Sequence, residues 1–366
     1  MKFAPGVEDA FPYIVGVFVI AAILSFVLAP LVRRVAIRYG MVDHPNDRRV
    51  NTSPVARGGG IAVATASIVA TTLFIAQNQG PDALTPPASI GGSEVLALLG
   101  GGALAAVIGA FDDWFQLRAR WQLAGQLVIA EIAVLLGVTP DFITNPFGGL
   151  IDLTGPIGVA FAIVWILGMI NSINFIDGLD GLSSGIGLIA AATLGLISLT
   201  TAVGPFGQPF VAVLCFALVG SLAGFLRWNF HPASIFVGTS GVMFIGYTLA
   251  LLSILGTAKV AVALLVLGVP IIDTFWIIIR RIAARSSPFT PDRGHVHHRL
   301  LDLGLSQTQT VLLIYGVCIF LGVLALVLSV AQQLIAFFLF MILSGLTLFV
   351  LTRREVDRSP DRASPR

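Results

Sequence analysis

The sequence predicts an all-α, polytopic integral membrane protein, and three observations carry that prediction. Of 366 residues, 56% are hydrophobic and only 11% are charged, whereas a soluble domain is about a quarter charged. The mean hydropathy is +0.94. The apolar residues also fall in runs long enough to cross ~30 Å of hydrocarbon, which takes about 17–25 residues as a helix. Backbone in lipid must satisfy its own hydrogen bonds, leaving helices or closed barrels, and these runs are too long for barrel strands.

From the N-terminus, the runs lie near 12–32, 59–76, 94–111, 121–137, 157–172, 181–200, 210–226, 240–256, 260–280, 309–330 and 333–351. They give about eleven transmembrane helices. The first is too long for a signal-peptide core and no small-residue cleavage site follows it, so it reads as a retained span. Residues 1–352 thus read as a single transmembrane domain. Residues 353–366 hold Ser359-Pro360 and Ser364-Pro365 among charges and read as a disordered cytoplasmic tail. Cys215 and Cys318 lie in apolar runs, which indicates neither a disulfide framework nor a metal cluster. The formal net charge of +2 says little by itself, and no nucleic-acid partner is expected.

Arginine placement sets the orientation. One alternate set of loops carries Arg33, Arg34, Arg38, Arg48, Arg49, Arg57, Arg118, Arg120, Arg227, Arg280, Arg281, Arg285, Arg293, Arg299 and the Arg-rich tail; the other carries only Lys2 and Lys259. The N-terminus is expected outside and the C-terminus in the cytoplasm. The outer loops 77–93, 138–156 and 201–209 contain no histidine, and the polar clusters fall in the inner loops 40–58, 112–120, 171–181, 227–239 and 281–308. Such one-sided chemistry suits an enzyme at the cytoplasmic face of the plasma membrane. A transporter more often places polar groups at mid-membrane on broken helices in matching halves, and no internal repeat supports one.

The densest polar cluster is Asn171-Ser172-Ile173-Asn174-Phe175-Ile176-Asp177-Gly178-Leu179-Asp180-Gly181-Leu182. Asn171 and Asn174, then Asp177 and Asp180, stand three residues apart, which stacks each pair on nearly one helix face. Carboxylates at a bilayer are kept mainly for chemistry or ligand binding. Gly178 and Gly181 leave room for a ligand to approach the backbone.

The other clusters each admit two readings. The loop from Asp43 to Gly60 sets Arg57 before a glycine run that opens a helix, which suits phosphate; a juxtamembrane basic loop serving topology gives the same pattern. The adjacent Asp112 and Asp113 close the third span, as a general base and a partner for a cation, or as a plain helix end meeting Arg118 and Arg120. The run from Arg227 through Asn229 and His231-Pro232 to Phe236 and Gly238-Thr239-Ser240 suits a stacked base or an interfacial aromatic belt. Asp273, after Pro270, either braces a neighbouring helix or joins a site, and Glu131 reads as a helix-contact residue. His295, His297 and His298, flanked by Arg293 and Arg299, make a donor set for a pyrophosphate. Zinc competes for them, but no Cys and no fourth-ligand spacing support it.

Together these motifs resemble the polyprenyl-phosphate N-acetylhexosamine-1-phosphate transferases of glycosyltransferase family 4, which start O-antigen, teichoic acid and related envelope glycans. The phospho-MurNAc-pentapeptide transferase is a more distant relative. The likeness runs roughly from Asp43 to Ser306. It implies transfer of a sugar-1-phosphate, GlcNAc-1-phosphate foremost, from a UDP-N-acetylhexosamine to undecaprenyl or another polyprenyl phosphate, with release of UMP. It also implies Mg²⁺, with Mn²⁺ as a substitute, and leaves a homodimer open. By position, Asp112 would deprotonate or place the lipid phosphate with Asp113 beside it. Asn174 would help hold the metal, Asp177 and Asp180 would line the nucleotide pocket with Arg57, Asn229 and Phe236 would contact uracil, and His295, His297 and His298 would hold the donor phosphates.

The sequence departs from the family where Gly238 is followed by Thr239, since the usual residue is an Asp that ligates the metal. A hydroxyl is a poor substitute for a carboxylate on a hard cation. The alternative reading is therefore a degenerate relative that binds nucleotide-sugar or lipid carrier without turnover. Ala56 and Asn51 also stand where the family usually has proline and histidine.

Overall fold

The computed structural model describes residues 3–4, 7–44, 54–79, 83–87, 90–145, 147, 149–200, 207–256, 260–283 and 295–357. Arg48, Arg49, Asn51, Arg285, Arg293, Lys2 and Lys259 lie outside them, as does the tail beyond residue 357. The chain opens with α1 (Val7–Arg38), crosses a two-residue ribbon of β1 (Val42–Asp43) and β2 (Val55–Ala56), and enters α2 (Gly60–Gln77). The short α3 (Gly92–Leu96) passes through one π turn, Ala97–Gly101, into α4 (Gly102–Phe115). After α5 (Ala119–Leu135) comes an antiparallel hairpin of β3 (Phe142–Thr144) and β4 (Leu150–Asp152). Helices α6 (Pro156–Ile176), α7 (Leu182–Ser198), α8 (Pro209–Asn229) and α9 (Gly238–Leu255) follow. The rest comprises α10 (Val260–Val266), α11 (Gly268–Ala283), the short α12 (Val296–Asp302), α13 (Gln307–Val327) and α14 (Val330–Asp357).

Each apolar run counted in the sequence is helical. Among the described residues, eight helices are long and apolar enough to cross a membrane, and α10 with α11 makes a ninth that bends by 76° at its break. The remaining two, α5 and α7, have 17 residues each, about 26 Å at ~1.5 Å per residue. Glu131, read as a helix-contact residue, is exposed on α5.

Helix α9 is predominantly apolar all round, and it is buried along its whole length. A helix apolar all round belongs in a core. It packs on α2, α4, α6 and α7, and Tyr247 on it donates 2.7 Å to the Ala97 carbonyl in the π turn. The pair α1 and α8 meets through Gly220 and Gly224, where an added Cβ would press on the backbone of Phe18 and Ala22. Small residues permit such close backbone approach between membrane helices.

The N-terminal end of α9 lies at the same end of the bundle as the C-termini of α4, α6 and α8, opposite the β3–β4 hairpin. There α2 begins, and its Gly59 and Gly60 amides donate to the carbonyls of Phe236 (2.9 Å) and Val237 (2.7 Å). The start of α2 is thus not an open anion site: the Gly59 and Gly60 amides are used, and a Cβ on Gly60 would fall 1.9 Å from the Gly241 nitrogen. The glycines let two helix starts touch. We expect Gly60→Ala to lower the melting temperature in detergent by roughly 1–4 °C, since overpacking costs about 1–3 kcal/mol. Gly168→Ala, whose Cβ meets nothing within 4 Å, should melt like the parent.

Candidate active site

The site starts from the two carboxylates at the end of α4. That helix buries Gly102, Ala105, Ala106, Gly109, Asp112 and Asp113 on one side and stops at Gln116 in the left-handed region. Asp113 accepts from the main-chain N–H of Thr239 at 2.8 Å and of Ser240 at 3.0 Å, one on each oxygen. It thereby caps α9, where amides lack intrahelical partners and the helix dipole favours negative charge. Gly238 turns the chain into α9 at φ +69°, and a Cβ there would meet the Asp113 carboxylate. The Arg57 guanidinium stands between Asp113 (3.6 Å) and Asp43 (3.8 Å).

Asp112 faces a different donor set. Its Oδ1 accepts from the Leu117 N–H (2.9 Å) and the Gln122 side-chain amide (2.8 Å), and its Oδ2 from the Thr239 hydroxyl (2.6 Å). The adjacent carboxylates therefore each have their own partners. Thr239, at the position where the family resemblance expects a metal-binding Asp, uses its hydroxyl on Asp112.

The polar stretch closing α6 divides its labour. Asn171 donates to the Gln126 amide oxygen at 2.6 Å and to the Leu167 carbonyl, so it ties α6 to α5. Asn174 is half-buried, and its side chain makes no hydrogen bond among the described residues. Asp177 is the C-cap of α6 and accepts the Ser183 hydroxyl at 2.5 Å. Burial pushes its carboxyl up to about 6; the Ser183 hydrogen bond and Arg57 pull it down, while Asp113 and Asp180 push it up. Asp177 thus lies within electrostatic reach of Arg57 and Asp113.

Asp180 and Asn229 turn toward the protein. One Asp180 oxygen meets His231 Nδ1 at 2.7 Å and accepts the Ala233 N–H at 3.0 Å. Asn229, 3% exposed, accepts the Ser184 hydroxyl at 2.5 Å and donates to the Ile235 carbonyl at 3.1 Å. Both pin the segment 229–237, which is zipped to 56–60 where the Phe236 N–H meets the Ala56 carbonyl. The half-buried Phe236 is held there by its backbone.

The histidines arrive on α12. Fully buried Asp273 accepts the Val296 N–H (2.8 Å) and meets His295 Nδ1 (2.7 Å), so it braces the start of α12 and orients one imidazole. His297 is 1% exposed, and among the described residues neither ring nitrogen has a hydrogen-bond partner. Burial, then His298 and His295, hold its pKa well below the usual histidine range, so it is neutral. Its ring lies against Gly178, where a Cβ would collide with Nε2, and stands 4.4 Å, centroid to centroid, from that of His298.

Among the described residues, no group of three or more His, Cys, Asp or Glu gathers as a ready metal cage. Magnesium rarely needs one: it takes one or two carboxylates and draws its other ligands from phosphate and water. Asp177 and Asn174, hard oxygen donors one helical turn apart, fit such an ion. Sequence reasoning missed Gln122, Gln126, Ser183, Ser184 and Asp43 as site partners. Two glutamines four residues apart in an apolar run were the available signal.

The model of glycosyl transferase family 4 matches residues 95–257, from α3 to just past α9. A probable undecaprenyl-phosphate N-acetylglucosaminyl 1-phosphate transferase of Bacillus subtilis (strain 168) is 33% identical over 90% of this chain and 89% of its own. The chain belongs to glycosyl transferase family 4. A decaprenyl-phosphate N-acetylglucosaminephosphotransferase of Mycolicibacterium smegmatis is 34% identical over 83% of this chain and 79% of its own. An undecaprenyl-phosphate alpha-N-acetylglucosaminyl 1-phosphate transferase of Escherichia coli (strain K12) is 27% identical over 82% and 79%. The part of this family 4 member that the model matches holds both α4 carboxylates, the α6–α7 turn and the α9 start; Arg57 and the α12 histidines lie outside it.

Ser183 is the largest influence holding the Asp177 carboxyl down. Ser183→Ala should raise its pKa further and move the acid limb of the pH–activity profile to higher pH, by up to about one unit for a hydrogen bond of roughly 1 kcal/mol. An acid limb that stays in place would dissociate Asp177 from that limb.

Proposed function

We propose that the protein transfers N-acetylglucosamine-1-phosphate from UDP-N-acetylglucosamine to a polyprenyl phosphate, releasing UMP, as a first membrane step in envelope glycan synthesis. The observation that carries this reading is the buried, unpartnered His297 set against the Gly178 turn beside Asp177, an arrangement suited to accepting a polar ligand at a membrane surface. The relatives named above are transferases onto undecaprenyl or decaprenyl phosphate, which supports the lipid acceptor. We take the protein to have about eleven spans with the N-terminus outside and the C-terminus in the cytoplasm, as arginine placement favours. The pocket then faces the cytosolic pool of nucleotide-sugar.

In this reading a phosphate oxygen of the lipid attacks the β-phosphorus of the donor. That P–O bond forms as the bond from the bridging oxygen to the β-phosphorus breaks, and UMP leaves with the bridging oxygen. Asp112 takes or steers the proton of the lipid phosphate through its remaining Oδ2 lone pair. Asp113 and Arg57 keep the α4–α9 corner in register. Asp177 and Asn174 would hold Mg²⁺, which supplies charge neutralisation on the diphosphate. His297, with His295 and His298, faces the donor phosphates. Asp180 and Asn229 shape the nucleotide side by pinning 229–237, which holds Phe236 for the base.

Purified protein in detergent should release UMP from UDP-N-acetylglucosamine with polyprenyl phosphate and Mg²⁺, and chelation should abolish release until Mg²⁺ is returned. Asp112→Asn should lower turnover by about 100-fold or more while the protein melts as before. No UMP from any UDP-sugar, or parental rates in Asp112→Asn, would overturn the reading.

A further inference from the structure

We infer that Gln122 is a positioning residue for this reaction: its side-chain amide fixes which oxygen of Asp112 faces the substrate. The inference rests on the proposed transfer and deepens it. Gln122 sits in the first turn of α5, half-buried, and the three-residue link after α4 folds it back onto the carboxylate ten positions earlier. An ionised carboxylate offers about four acceptor positions. On Oδ1, the Leu117 N–H and the Gln122 amide fill both. On Oδ2, the Thr239 hydroxyl fills one. A single lone pair on Oδ2 remains to meet a phosphate proton.

The donors differ in how firmly the fold fixes them. Leu117 N–H is main chain and stays wherever the α4–α5 link goes. Gln122 reaches Asp112 only through a flexible side chain, so its chemistry has to be selected at that position. A neutral amide donates without adding charge beside Asp113 and Arg57. Its second interaction, 3.4 Å to the Leu117 carbonyl, steadies the link that carries the other Oδ1 donor. Without Gln122, Oδ1 regains a lone pair and the carboxylate can rotate, spreading its reactive position over two oxygens.

Gln122→Met removes the donor with little change in length or helix propensity. Gln122→Glu keeps the shape and sets a second carboxylate against Asp112. Gln122→Lys restores a donor. Each variant is assayed by UMP release beside the parent, with a detergent melt. We expect kcat to fall about tenfold or more in Gln122→Met, as for a lost hydrogen bond to a charged group. KM for UDP-N-acetylglucosamine should stay within about twofold, since uniform binding is untouched. The loss should be deeper in Gln122→Glu, and Gln122→Lys should recover most of kcat. Parental kcat in Gln122→Met or Gln122→Glu overturns the inference. So does a joint shift of kcat, KM and melting temperature, failure of both variants to fold, or no recovery in Gln122→Lys, because each marks a structural role. A parent that releases no UMP refutes the proposed transfer itself, and the inference with it.

Discussion

A buried carboxylate facing the start of a buried helix is the contact on which this architecture turns. Helix α9 has no wet side, so its first amides cannot turn to solvent. An amide left unpaired in such surroundings costs about 1–3 kcal/mol. Asp113 supplies an oxygen each to Thr239 and Ser240, and the helix dipole and Arg57 supply the positive field that a buried carboxylate needs. Neither partner is comfortable alone. Together they lock α4 to α9 at one end of the bundle.

From that corner the remaining parts are placed in sequence. Gly238 is required because its turn passes directly over the Asp113 carboxylate. The segment before it, pinned by Asn229 and Asp180, zips to residues 56–60 and so delivers Arg57 to the same corner. Arg57 in turn biases Asp177, whose turn presents Gly178 to His297. Asp273 sets the helix that carries the imidazoles. Much of the polar chemistry is thus spent joining the helix ends, and among the described residues a smaller group (Asn174, one oxygen of Asp177, His297 and the last lone pair of Asp112) keeps unused hydrogen-bonding capacity. Rigid placement of a few reactive groups by many satisfied ones is how a site stays within the geometry that transfer demands.

The helices were legible because lipid admits so few folds: an apolar run of sufficient length has to be a helix. The bend between α10 and α11 was not, since hydropathy registers composition and not direction, and α7 proved shorter than its run at 181–200. Asp112, Asp113, Asp177 and the α12 histidines stood out as polar residues in apolar surroundings. Of their partners, Arg57, Thr239 and Asp273 stood out as well, while Gln122 and Ser183 did not. Spacing put Asn171 and Asn174 on one face, yet only packing against Gln126 distinguishes a helix brace from an available amide. The glycines before α2 suggested phosphate, whereas the close approach of Gly241 is what demands them. Asp273 was readable as a brace or a site member, and its contacts with Val296 and His295 show it bracing α12. Gln122 escaped notice because an uncharged amide in an apolar run leaves little compositional trace.

The most direct test of this account is the melting temperature and UMP release of Asp113→Asn, which keeps the size of the side chain but removes its charge and aims an N–H at an N–H. The account predicts a protein that still reaches the membrane, melts several degrees lower and releases little or no UMP, as breaking a buried charged contact costs about 3–5 kcal/mol. Parental stability together with parental turnover would show that the α4–α9 corner does not organise the pocket.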